Sequence, residues 1–167
     1  MKKLILISLI IVCNACSIFA LEIYPVKEDS TEQIKSEVKK NLSYIELGGN
    51  GIILSINYER YISENLSFRI GLGNDIYTGS FYPLMINYTF DLPFEAGFGI
   101  VPFSFGGRSR IAEEIFADQK NGVLLTFLLG YKKTFGRFLF KASFTPHFNP
   151  KNSEFLPFGG VSFGVTF

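Results

Sequence analysis

From Leu42 to the last residue the chain alternates with a period of two, and this alternation limits the fold more than any other feature. Between 138 and 148, Phe138, Phe140, Ala142, Phe144, Pro146 and Phe148 share one face, and Leu139, Lys141, Ser143, Thr145 and His147 share the other. Leu66, Phe68, Ile70 and Leu72 oppose Ser67, Arg69, Gly71 and Gly73. Tyr82, Leu84, Ile86, Tyr88 and Phe90 oppose Met85, Asn87 and Thr89, and Val161, Phe163, Val165 and Phe167 oppose Gly160, Ser162, Gly164 and Thr166. Successive side chains on opposite faces define an extended strand, so the region reads as all-β.

Turn chemistry divides it into eight segments, approximately 42–49, 52–62, 66–77, 81–91, 94–106, 122–135, 137–148 and 155–167. Asn50-Gly51 reads as a two-residue type I′ hairpin. Thr78-Gly79-Ser80, Ser63–Asn65, Asp91–Pro93 and Gly136-Arg137 read as short turns. The stretch 108–121 is a long polar connection and 149–154 a medium one. Most segments have at least the ~9–11 residues that a tilted membrane-spanning strand requires, although the first is short.

Eight antiparallel strands fit two architectures, and the chemistry of the second face separates them. A soluble ligand-binding barrel of lipocalin type needs a charged exterior. A transmembrane barrel turns the apolar face to lipid and fills a narrow interior with small and polar groups. Here the non-apolar face is mostly Gly, Ser, Thr and Asn, in a chain with 16 Gly, 19 Phe, 8 Tyr and no Trp. The expectation is a single antiparallel up-and-down transmembrane barrel of eight strands. With the N-terminus in the periplasm, three short turns, 63–65, 91–93 and 136–137, fall on the periplasmic side and the long connections outside. Aromatics then gather at both ends: Tyr58, Tyr61, Phe90, Phe94, Phe135 and Phe138 at one, Tyr77, Phe81, Tyr82 and Phe148 at the other.

The N-terminus points to export. Met1-Lys2-Lys3 is a basic n-region and Leu4 to Val12 an apolar h-region, too short to span a bilayer as a helix. Cleavage after Ala20 removes both cysteines, Cys13 and Cys16, and leaves no disulfide or thiolate metal site. A rival reading is a lipoprotein anchored through Cys16, for which Ala15 fits and Cys13 does not. The expected organisation is a signal peptide over 1–20, a polar periplasmic lead-in over 21–41, either a solvated leader or a short helix, and the barrel over 42–167.

The end of the chain, Gly164-Val165-Thr166-Phe167, resembles the terminal signature by which outer-membrane barrels are recognised by their assembly machinery. Together with Glu46-Leu-Gly-Gly-Asn-Gly51 and Ser55-Ile-Asn-Tyr-Glu-Arg60, it makes residues 42–167 similar to the small OmpA/OmpX-like barrel proteins. That resemblance implies a fold, the outer membrane of a diderm bacterium, outer-membrane lipid as surroundings, and Phe167 as the contact to the assembly machinery. It implies no reaction.

Glu46, Glu59, Arg69, Glu95 and Lys141 fall on the inward face and are expected to pair across the lumen. The alternative use of the same charges is a narrow porin-like pore, although eight strands leave an interior that side chains fill. His147 is the sole histidine. An outer-leaflet lipid-modifying enzyme would use it as a base, oriented by Glu154. The position where a deacylase-type serine is expected is Asn149, and Ser143 and Ser153 have nothing to recommend them as substitutes. In the 108–121 connection, Arg108, Arg110, Ile111, Ile115 and Phe116 are candidates for contacts with an extracellular partner. No cofactor is expected, since the chain has no phosphate-binding glycine loop, zinc spacing or calcium loop. The formal net charge of +1 argues against nucleic acid. The expected role is non-enzymatic, structural or surface-interacting, exerted through the outer loops.

Overall fold

The computed structural model describes residues 41–74, 79–106, 116 and 119–167. The signal peptide and lead-in read from 1–40, and Arg108, Arg110, Ile111 and Ile115, lie outside the described residues. Eleven strands form one antiparallel sheet: β1 Asn41–Gly48, β2 Leu54–Tyr61, β3 Leu66–Asn74, β4 Gly79–Phe81, β5 Leu84–Thr89, β6 Phe94–Phe105, β7 Asn121–Phe135, β8 Phe138–Phe144, β9 His147–Asn149, β10 Glu154–Leu156 and β11 Gly159–Thr166. β4 and β5, β8 and β9, and β10 and β11 are collinear pairs, so the wall has eight staves. It closes where β1 pairs with β11, Leu42 opposite Thr166 and Gly48 opposite Gly160. Closure leaves no sheet edge along the spanning part, as a barrel in lipid requires.

Proline divides the three composite staves. Pro83 follows Tyr82 between β4 and β5, Pro146 follows Thr145 between β8 and β9, and Pro157 precedes Phe158 between β10 and β11. Each lacks an N–H for the ladder. Two of the carbonyls stay in use: Pro83 accepts from Gly71 at 2.8 Å and Pro146 from Phe127 at 3.2 Å. The wall is therefore interrupted without losing register.

The polarity of the two faces is inverted relative to a soluble domain. Outward-facing Ile45, Ile56, Phe98, Phe127, Leu129 and Phe163 are among the most exposed side chains, whereas inward-facing Glu46, Asn57, Arg69, Asn87 and Lys141 are fully buried. A surface of this kind is stable only against hydrocarbon. Both chain ends of the barrel sit on one rim, where Asn41 donates to the Phe167 carbonyl at 3.1 Å. The turns at 62–65, 90–93 and 136–137 share that rim. In the last, Phe135 faces Phe138 and only Gly136 has a positive φ, 63°, the pattern of a type II′ hairpin.

Three sequence expectations are corrected here. Asn50-Gly51 is not a two-residue type I′ turn: Leu47 pairs with Leu54, and the residues between them form a 3-10 turn, Gly49–Gly51, folded into the lumen. Two consecutive glycines, Gly48 at φ 75° and Gly49 at φ 66°, give the backbone that inward bend. Thr78-Gly79-Ser80 is not wholly a turn, because Gly79 and Ser80 already pair with Phe105 and Ser104. Phe81 does not join an outer aromatic girdle; it points inward and is fully buried.

Candidate functional site: a filled lumen

The lumen is occupied in layers. Nearest the rim that carries the termini, Leu42, Tyr44 and Leu139 pack together with Tyr61 against them. Beside this layer lies a closed ring of charge. Lys132 contacts Glu59 at 2.5 Å and Glu95 at 3.2 Å, and Lys141 contacts Glu95 at 2.5 Å and Glu59 at 3.2 Å. Each lysine bridges both carboxylates, and the four side chains are buried. Around Glu59, Ser67 donates at 2.7 Å and Tyr44 at 3.1 Å. The Tyr44 ring lies 4.7 Å from the Lys141 ammonium and 5.3 Å from the Arg69 guanidinium, and the Tyr61 ring 4.8 Å from Lys132.

The next layer is a second ion pair, Arg69 with Glu46. Arg69 also donates to Asn57 Oδ1 from Nε at 3.0 Å and from Nη2 at 2.8 Å, while Ser55 donates to Glu46 at 3.2 Å. With three carboxylates set against three cations, these two layers are neutral. Neutrality matters because an unpaired charge in a narrow interior costs several kcal/mol.

Above them sits the inward turn. Asn50 is fully buried; it accepts from the Thr126 hydroxyl at 2.7 Å and donates to the Met85 sulfur at 2.8 Å. His147 Nε2 is 3.3 Å from the Gly49 carbonyl. A carbonyl only accepts, so the neutral ring carries its proton on Nε2. The far rim is closed by an apolar layer of Ile52, Phe81, Val101, Phe103, Phe105, Phe116, Leu124 and Leu156. Phe116 packs at centroid distances of 4.7 Å on Phe103, 5.2 Å on Phe105 and 6.1 Å on Phe81.

The structure thus brings Glu46, Glu59, Arg69, Glu95 and Lys141 together inside the barrel and adds Lys132, which sequence reasoning missed. The missing signal was parity. Tyr131 follows the outward series Val123, Leu125, Phe127 and Leu129, so Lys132 had to point inward. The inward face of β7 also carries Leu124 and Leu128, and this hid the contrast between faces.

Three candidates are placed differently from expectation. His147 is fully buried beneath the inward turn, 5.4 Å from the Phe158 ring, rather than at an accessible rim. Glu154 does not orient it: Glu154 pairs with Asn149 in register and accepts from Asn152 at 2.9 Å. Phe116, read as an extracellular contact, is buried inside the mouth, because three strand-borne phenylalanines form a socket for it. Among the described residues no cluster of three or more His, Cys, Asp or Glu side chains is arranged to hold a metal ion.

No family model matches the chain, and no curated protein matches it. Among solved structures it is similar to the N-terminal β-barrel domain of Pseudomonas aeruginosa OprF, at 14% identity and a TM-score of 0.56, over 77% of this chain and 96% of that one. It also matches the outer membrane protein AlkL, at 11% identity and a TM-score of 0.44, over 87% and 96% of the two chains. A third match is Ail, the attachment invasion locus protein of Yersinia pestis, at 12% identity and a TM-score of 0.40, over 78% and 100%. The fold is that of a small outer-membrane β-barrel.

Proposed function

We propose that this chain is a non-enzymatic, non-conducting barrel of the diderm outer membrane, reached after signal-peptide cleavage, which holds its long connections at the cell surface for structural or contact roles. One observation carries the reading: the lumen is occupied layer upon layer, from the Leu42–Leu139 packing through two neutral ion clusters to the Phe116 cap. An interior so filled leaves the wall and the outer connections to act. The exposed apolar exterior supports the membrane setting, and Phe167, at the rim and 59% exposed, is the proposed contact for the assembly machinery.

Burial of His147, without Glu154 beside it, favours this reading over an outer-leaflet lipid-modifying enzyme. The paired state of Arg69 and Lys141 favours it over a narrow pore. The test combines two measurements on the full-length protein made in a diderm host. Outer-membrane recovery with heat-modifiable migration, together with silent planar bilayers, is the expected result. Steady single-channel conductance would overturn the non-conducting role, and a soluble periplasmic product would overturn the membrane setting.

A further inference from the structure

Four polar side chains form a two-by-two block on the outward face of β1 and β2. Asn41 stands opposite Arg60 and Ser43 opposite Tyr58. All four point away from the lumen, because Leu42, Tyr44 and Glu59 between them are buried inside it. The block lies at the rim that carries the chain ends, with Val165 in register beside Ser43 and Phe68 in register beside Arg60. Both of these neighbours are exposed on the apolar exterior.

The block is partly organised and partly unused. Tyr58 donates to Asn41 Oδ1 at 2.8 Å, which orients both side chains and leaves the Asn41 amide to donate and the Tyr58 oxygen to accept. Arg60 enters no ion pair among the described residues, and Glu64, in the turn after β2, does not pair with it. One other charged side chain faces outward on the described strands, Lys133 on β7 at the same rim. It lies 5.1 Å from the Phe135 ring and opposite Phe140. The outward charge at this rim of the wall is therefore cationic, and only at Arg60 does it stand in register with an amide.

In a sheet, opposed residues lie about 5 Å apart and alternate residues along a strand about 7 Å apart, so the block has the span of one lipid headgroup. A guanidinium takes the oxygens of a phosphate through paired N–H groups. Ser43, Asn41 and Tyr58 offer uncharged donors and acceptors, which match headgroup hydroxyls. A headgroup amine would meet a guanidinium and no outward carboxylate on the strands. We infer that this block is a binding site for one anionic phospholipid of the phosphatidylglycerol type, with its phosphate on Arg60, its glycerol hydroxyls on Ser43, Asn41 and Tyr58, and its chains along Phe68 and Val165. The inference rests on the membrane setting proposed above and places a particular lipid beside the β1–β11 seam that closes the barrel.

The test uses the mature protein folded in vesicles of equal phosphatidylglycerol and phosphatidylcholine, released into mild detergent for native mass spectrometry. One phosphatidylglycerol is expected to be retained in preference to phosphatidylcholine. Arg60→Gln should lower that preference about ten-fold or more, the worth of a hydrogen-bonded charge. Ser43→Val, which leaves the charge in place, should lower it less. Lys133→Gln removes an equal charge from the same rim and should leave it intact. Equal losses in Arg60→Gln and Lys133→Gln would mean a diffuse attraction to the rim and would overturn the site. Retention of a second copy of the chain in place of lipid would overturn it too. Heat-modifiable migration in the vesicles reports the membrane setting separately, so a barrel that folds in lipid without preferring phosphatidylglycerol overturns this site alone.

Discussion

Glu59 on β2 and Lys132 on β7 meet across the lumen at 2.5 Å, although neither strand is hydrogen-bonded to the other. The contact ties the N-terminal staves to the C-terminal ones, and Lys141 and Glu95 complete the ring. Glu59→Gln leaves two buried ammonium groups sharing one carboxylate. Removing one partner of a buried pair costs about 3–5 kcal/mol. The double variant Glu59→Gln/Lys132→Met leaves Lys141 and Glu95 balanced at 2.5 Å and is expected to recover much of that loss. Urea titrations of wild type, Glu59→Gln, Lys132→Met and the double variant in lipid vesicles give the coupling; additive losses would show that the ring does not act as a unit.

The inward turn depends on Gly49. Its φ is 66°, and a Cβ there would stand 2.6 Å from the Glu46 carboxyl carbon. Gly49→Ala therefore meets a backbone penalty of about 1–2 kcal/mol, and it also pushes on the carboxylate that holds Arg69. Equilibrium unfolding should show a larger loss than Gly136→Ala, where φ is also positive but no atom lies within 4 Å of the added carbon.

The faces of the wall were legible in the sequence because period two survives any fold that keeps strands straight. Parity placed Glu46, Glu59, Arg69, Glu95 and Lys141 on the inside, and short turns placed the strand order. Two things were not legible. The bend at Gly48-Gly49 spans more residues than the Asn50-Gly51 dipeptide announces, and its landing place depends on Thr126 and Met85, far away in the chain. The apolar far layer looked like lipid-facing or loop sequence, since Phe81 and Phe116 do not themselves reveal that they will share a socket with Phe103 and Phe105. Local chemistry gave the strands; what fills them was set by contacts across the barrel.

The membrane setting makes its own prediction at Leu129, which faces outward on β7 with 64% exposure. Leu129→Arg should cost roughly 2–4 kcal/mol in bilayers if the residue lies near the midplane. On a barrel whose outer face meets water, the same change would be near neutral. Folding yields and urea midpoints in vesicles of matched lipid decide between them.

His147 offers a test of the non-enzymatic reading that needs no substrate to be guessed. Lipid A and phospholipid mass profiles should be the same in cells making the wild-type protein, His147→Ala or no protein. A change of acylation that appears with wild type and disappears with the variant would reinstate the histidine as a base.

Phe116 fills a socket whose walls, Phe81, Phe103 and Phe105, belong to β4 and β6. Truncating a buried phenylalanine usually costs about 3–5 kcal/mol, the transfer of the ring plus the cavity it leaves. Here the socket lies at the mouth, above the charge ring, so its loss should loosen the cap more than the wall. Phe116→Ala is thus expected to lower the urea midpoint while heat-modifiable migration is retained. It should also expose the 107–120 connection to protease added outside intact cells more readily than in wild type, because the side chain that ties that connection to the barrel is gone. Unchanged cleavage with an unchanged midpoint would mean that the ring anchors nothing, and the connection would then be held by contacts of its own.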